Sequence, residues 1–277
     1  MIEFVDVKRT YARKVAVDGL TLTVPRGELF ALLGPNGAGK TTTIKLLTGL
    51  LQPTAGSVRV CGHDLVRDVR NATRWIGYVP DEPFLYDKLS GREFLEFTAE
   101  MRGLDRPAVA RVIQRECGNF DLDDFLDDLT ETYSHGMKQR LVFAAALLHD
   151  PPVLVVDEPM VGLDPLGVRV VKDRLRTVAT GGSAVFMSTH TLAIAEEVAD
   201  RIGIMDRGRL HFLGTKDELQ RELASRETSL ESLFLEMTEG NNGRDGNGEG
   251  EKGKRPGGIH QASTSLPAAL PLPPSPS

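Results

Sequence analysis

The sequence predicts an α/β fold with a mostly parallel core sheet and a helical subdomain inserted into it. Two short, wholly apolar runs, at 29–33 and 153–156, read as strands buried on both faces, the habit of a parallel sheet covered by helices. After residue 150, β-rich runs alternate with helical stretches, as βαβ units do. Between the two apolar runs lies a block, 84–146, whose hydrophobic period turns helical from Ser90 onward.

Taken in order, residues 2–7 and 20–24 alternate in the manner of β-structure, and Pro25-Arg26-Gly27 makes a turn. The strand at 29–33 runs into the glycine-rich segment 34–39. A helix is predicted over 40–50, with Ile44, Leu47 and Leu51 at helical spacing. Further strands are expected at 56–60 and 75–79. Ser90 and Glu93 form a capping box, Phe94, Phe97 and Met101 supply the apolar face of the helix that follows, and Gly103 ends it. A second helix is read over about 107–117, then strands at 153–156 and 184–187. From Gly240 the composition becomes Gly, Asn, charge and then Pro-rich, which cannot bury a core and reads as a disordered tail, so the domain is expected to span 1–239.

With 277 residues, 40% of them apolar, the chain can bury a full core in one compact body. The formal net charge of −6 argues against a broad nucleic-acid surface. Cys61 and Cys117 lie far apart without metal or redox spacing, which makes a reducing compartment, the cytoplasm, the expected location. The N-terminus lacks a signal-peptide pattern, and the longest apolar stretch, 141–148, is far short of a membrane span.

Three motifs carry chemistry. Gly34-Pro35-Asn36-Gly37-Ala38-Gly39-Lys40-Thr41 matches G-x-x-x-x-G-K-[ST] in its required strand-to-helix context, with Thr42 continuing into the helix. Its backbone N–H groups turn toward phosphate, Lys40 reaches the outer phosphates, and Thr41 offers a hydroxyl to Mg²⁺. Asp157 and Glu158 end a buried strand, where such sheets present their ligands. Asp157 suits Mg²⁺, and Glu158 suits orientation or deprotonation of an attacking water. Ser134-His135-Gly136 opens a helix and provides a second set of anion-binding N–H groups. One chain cannot easily bring that turn onto its own phosphate loop, so a site completed across a dimer is the economical expectation. The acidic run 121–128 lacks the glycine of a calcium loop and reads as a solvated face.

In this order the motifs resemble those of the nucleotide-binding subunit of ABC transporters, over roughly residues 1–238, and the variant Tyr133-Ser134-His135-Gly136-Met137 is similar to that of bacterial export-type subunits. The resemblance implies an ABC-type P-loop NTPase with an antiparallel β subdomain and a closing helix within 228–235 whose Leu230, Leu233 and Phe234 pack on the body, and an ATPase working with Mg²⁺ at the cytoplasmic membrane face. Its implied partners are a separately encoded permease and a second nucleotide-binding subunit, taken as an identical copy, with no nucleic acid. Tyr11 is then expected to stack on adenine, His190 to reach the γ-phosphate region, and Ser134 and Gly136 to meet the ATP of the partner. Asp81 stands where the family usually has a glutamine, and remains able to ligate Mg²⁺ but not to donate a hydrogen bond. Val161 stands where a serine is usual. Two alternatives stay open on the residues alone: a soluble non-transport ABC ATPase of DNA repair or translation, and a degenerate nucleotide sensor.

Overall fold

The structure is a computed structural model and describes residues 1–225. The readings at 228–235 and 240–277, and the domain end at 239, lie outside the described residues. The chain runs β1 (Ile2–Tyr11), β2 (Lys14–Val24), β3 (Leu29–Leu33), α1 (Lys40–Leu47), β4 (Ala55–Val60), β5 (His63–Asp64), α2 (Val69–Thr73) and β6 (Ile76–Val79). Then come α3 (Gly91–Met101), α4 (Arg106–Phe120), α5 (His135–Leu147), β7 (Val153–Asp157), α6 (Pro165–Thr180), β8 (Ala184–Thr189), α7 (Leu192–Val198), β9 (Arg201–Asp206), β10 (Arg209–Thr215) and α8 (Lys216–Ser225).

Two sheets form. A six-stranded sheet has the order β10-β9-β3-β8-β7-β6, parallel except for β10, and a four-stranded antiparallel sheet has the order β2-β1-β4-β5. Strand alternation divides β3 between two cores. Leu29, Ala31 and Leu33 face one hydrophobic cluster with residues of α3 to α7, while Phe30 and Leu32 face the other, with α1 and the antiparallel sheet. Both faces of β3 are thus covered, and all five of its residues are buried. The helices α3 to α5 lie in sequence between β6 and β7 and pack on the first cluster, which is the helical insertion expected over 84–146.

Three local readings are corrected. The helix predicted over 40–50 ends at Leu47, because Gly49 takes a left-handed φ of 73° and Leu51 N–H turns back to the Lys45 carbonyl. The strand at 75–79 starts one residue later, and Trp75 is exposed. In α3 the capping box of Ser90 and Glu93 forms as expected, but the buried face is Gly91, Leu95 and Ala99. Phe94 packs at the edge of the core, while Phe97 and Met101 point outward. Of the two apolar stripes on this helix the one with small residues is buried, and at Gly91 the approach is so close that an added Cβ collides with the Tyr133 hydroxyl.

Candidate nucleotide-binding site

Sheet register assembles the site. Leu33 pairs with Thr189 across β3 and β8, Asp157 with Ser188 across β7 and β8, and Val79 with Val156 across β6 and β7. The carboxyl ends of four neighbouring parallel strands therefore deliver the phosphate loop, His190, the Asp157-Glu158 pair and Asp81 to one edge, the side on which open parallel sheets bind ligands.

The loop needs its glycines. Gly39 has φ 114°, and a Cβ there stands 2.5 Å from the Ala16 carbonyl oxygen; a Cβ on Gly34 runs into the Met205 carbonyl. Gly39 is also the N-cap of α1 and offers no side-chain acceptor, so the N–H groups of the first turn keep their capacity for an anion. Lys40, only 6% exposed, donates from Nζ to the carbonyls of Gly34 (2.7 Å) and Pro35 (3.2 Å) and lies 3.4 Å from Glu158 Oε1.

Asp157 is 2% exposed, and its Oδ1 accepts from the Ser188 hydroxyl at 2.5 Å. Burial pushes its carboxyl pKa up, the Ser188 bond opposes this, and the nearby charges of Asp81 and Glu158 add to the rise. Asp81 is likewise raised, first by burial and then by Glu158 and Glu82. Glu158 holds a left-handed φ of 46°, uncommon for a residue with a Cβ, and donates its N–H to Ser188 Oγ at 3.1 Å. Its Oε2 lies 2.9 Å from His190 Nδ1 and accepts from the His190 backbone N–H at 3.3 Å. The Ser188 hydroxyl thus ties Asp157 to Glu158, a role not assigned from the sequence; its place directly after an apolar run, one strand over from the carboxylates, was the available signal.

A cavity of about 290 Å³ opens here. Tyr11, Pro35, Asn36, Gly37, Gly39, Lys40, Thr41, Thr42, Asp81 and Glu158 line it, joined by Lys14 and Ala16, which the motifs do not name. Ala38 is buried and Gly34 packs on Met205, so neither lines it; both shape the turn. His190 joins the cavity through Glu158, and Asp157 lies beneath. Ser134 and Gly136 are elsewhere. They line a separate cavity of about 360 Å³ with His135, Leu163 and Asp164. Ser134 caps α5, its Oγ accepting from Met137 N–H at 3.2 Å, and the hydroxyl hydrogen stays free to donate. His135 Nε2 donates to the Val161 carbonyl at 3.2 Å, linking this turn to the loop that precedes α6.

A phosphate loop on a parallel sheet, with a lysine and strand-end carboxylates converging on it, defines a P-loop nucleoside triphosphatase. The family model described as "ABC transporter" matches residues 17–161. The chain is 39% identical over 221 residues to the uncharacterized ABC transporter ATP-binding protein YhcH of Bacillus subtilis, covering 79% of this chain and 71% of the relative. It is 40% identical over 215 residues to the daunorubicin resistance ATP-binding protein DrrA3 of Streptomyces coeruleorubidus, covering 78% and 68%. A solved structure of the ATP binding subunit of an ABC transporter superposes with TM-score 0.80 at 34% identity, over 86% of this chain and 99% of that one. The chain belongs to the ABC transporter family, as an ATP-binding and ATP-hydrolysing subunit. No helix among the described residues is long and apolar enough to cross a membrane.

Proposed function

We propose that this subunit energises a separately encoded membrane permease from the cytoplasmic face of the membrane, in the export direction, for a substrate of drug, lipid or polysaccharide type. The observation that carries the reading is an exposed aromatic face on the helical insertion. Phe84 is 74% exposed and Met101 72%, and Tyr86 and Phe97 stand between them with ring centroids 5.8 Å apart. Phe84 packs edge-on to Tyr86 at 5.8 Å. A contiguous apolar patch of this kind marks a protein interface rather than a solvated surface. Met101 also borders a cavity of about 530 Å³ rimmed by Arg70, Arg74 and Arg102, so the face continues into a basic groove. The drug-resistance name of one relative supports export.

In the catalytic reading, ATP lies on the loop 34–42 with Lys40 on its outer phosphates and Tyr11 on its base. Glu158 orients or deprotonates the attacking water, and His190 holds Glu158 through the 2.9 Å contact. The donor set fits Mg²⁺. Asp81, Asp157 and Glu158 bring three carboxyl groups together near a single lysine, and Thr41 exposes a hydroxyl into the same cavity. No three metal-binding side chains converge by themselves among the described residues, so Thr41, Asp157 and Asp81 would hold the ion together with phosphate oxygens. When bound, the ion neutralises charge developing on the phosphates. Ser134 and Gly136 serve the ATP of a second copy, because in this chain they face a cavity of their own.

Fractionation of source cells tests the partner reading. The wild-type chain should sediment with membranes, and a variant carrying Phe84→Asp with Met101→Asp should move to the soluble fraction while its isolated ATP turnover stays unchanged. Undiminished sedimentation of a folded variant, or a wild-type chain that never sediments, overturns the proposal, and the second outcome favours a soluble non-transport ATPase.

A further inference from the structure

We infer that Arg9 is a positioning residue for nucleobase binding, holding the Tyr11 ring from the side away from the nucleotide cavity; this rests on the reading that Tyr11 stacks on the base. Arg9 and Tyr11 are two residues apart on β1, so their side chains share a face. The guanidinium carbon of Arg9 lies 4.6 Å from the centroid of the Tyr11 ring, within cation–π range. Tyr11 lines the 290 Å³ cavity and Arg9 does not. The cation therefore backs the ring and leaves a face toward the ligand.

The need for such a support follows from where Tyr11 stands. It is the last residue of β1, paired with Lys14 across a two-residue turn in which Ala12 has φ 49°, and it is 41% exposed. No other aromatic ring among the described residues packs on it. A ring at an exposed hairpin end loses rotamer freedom when a base stacks on it, and a ring already held loses less. Arg9 is itself fixed. Its Nη1 donates to the Gln52 carbonyl at 3.0 Å, its neighbour Thr10 donates its N–H to Thr54 Oγ1 at 3.1 Å, and Thr54 N–H donates to the Lys8 carbonyl at 2.7 Å. Its Nε is buried without a hydrogen-bond partner, so one edge of the fork is committed to orientation rather than to bonding. Gln52 and Thr54 follow α1, whose N-terminus belongs to the phosphate loop. Arg9 thus ties the base platform to the segment that leaves the phosphate-binding helix.

Equilibrium affinities for ADP and for pyrophosphate separate base from phosphate recognition without turnover. Arg9→Met should weaken ADP roughly three- to tenfold, the value of about 0.5–1 kcal/mol or slightly more for a cation–π contact, and leave pyrophosphate within about twofold. Arg9→Lys should restore part of the loss, and in a Tyr11→Ala background Arg9→Met should change nothing further. Equal weakening of both ligands, no weakening of ADP, or the same loss with and without the Tyr11 ring overturns the role of Arg9. If Tyr11→Ala alone leaves ADP affinity intact, the base-stacking reading itself fails, a result distinct from the others.

Discussion

The phosphate-loop cavity is walled by the segments that leave β3, β6 and β7 and by the β1–β2 hairpin, whereas the cavity at Ser134 is walled by the starts of α5 and α6 and the loop between β7 and α6. In the first, Lys40 and Asp157 are buried, and the loop lysine and strand-end carboxylates are joined to neighbours: Lys40 with Glu158, Glu158 with His190, Asp157 with Ser188. In the second, Ser134 and His135 are exposed, and the polar groups are a cap hydroxyl, a histidine on a carbonyl, Asp164 accepting from Gly167 N–H at the start of α6, and Arg140 donating to the carbonyls of Phe120 and Asp121. Groups that must keep charges apart from water in a set geometry sit on a rigid sheet edge. Groups that, in the proposed reading, need only donate hydrogen bonds to an anion on a second copy sit on a helix end. The two cavities share no lining residue. The proposed division, chemistry in the first cavity and recognition of a second copy's ATP in the second, rests on this separation.

The largest effect expected from breaking this division is at Glu158. Glu158→Gln should keep ATP affinity and lower phosphate release by roughly 10²–10⁴-fold, the range for a general base; near-normal turnover removes Glu158 from that role. Next comes the division itself. A Lys40→Ala chain mixed with a Ser134→Arg chain, with heterodimers isolated by two tags, leaves one composite site with both lesions and one with neither. Turnover should then exceed that of either parent by on the order of tenfold, less than the full loss from removing anion-binding donors. Heterodimers as inactive as their parents mean that each chain works without the other's Ser134.

Asp81 sharpens the comparison within the first cavity. Since an amide also ligates and in addition donates, Asp81→Gln should change hydrolysis by no more than about one order of magnitude. A large gain means that the native carboxylate suppresses the site, as a degenerate sensor would. The smallest effect is on stability. Burial raises the Asp157 pKa, so the folded chain holds a proton there more tightly than the unfolded chain does. Ionisation therefore costs stability as pH rises through the folded-state value, and no cost remains below the unfolded value of about 4. Asp157→Asn, which still accepts from Ser188, should raise Tm at pH 7 while abolishing turnover. That gap should close near pH 4; a gap independent of pH assigns it to packing instead.

Much of the first cavity was legible because its residues are contiguous: the loop 34–42 and the pair Asp157-Glu158 are each one motif whose chemistry depends on local backbone. Asp81 and His190 were placed from the resemblance and reach the cavity, directly for Asp81 and through Glu158 for His190. Ser188, Lys14 and Ala16 were not legible, since their roles depend on which strand lies beside which. The face of α3 was misread for a related reason. Helical spacing permits Phe94, Phe97 and Met101 as readily as Gly91, Leu95 and Ala99; the second set packs into the core, with Tyr133 and Leu126 in close approach at Gly91. The β9–β10 hairpin, whose Met205 carbonyl excludes any side chain at Gly34, was likewise not foreseen.

By itself, then, the order of residues determined the fold class, the phosphate loop, the paired carboxylates and the capped start of α5, because hydrophobic period, capping and glycine chemistry act within a few residues of one another. Tertiary structure alone decided that Ser188 joins Asp157 to Glu158, that Arg9 backs Tyr11, that Ser134 opens on a cavity apart from Lys40, and that the aromatic stripe of α3 faces outward. Each of these depends on strand neighbours or on a contact between distant segments, as of Arg9 with the Gln52 carbonyl, and such contacts are set by packing at close to crystal density, where a single Cβ is enough to exclude one arrangement and admit another.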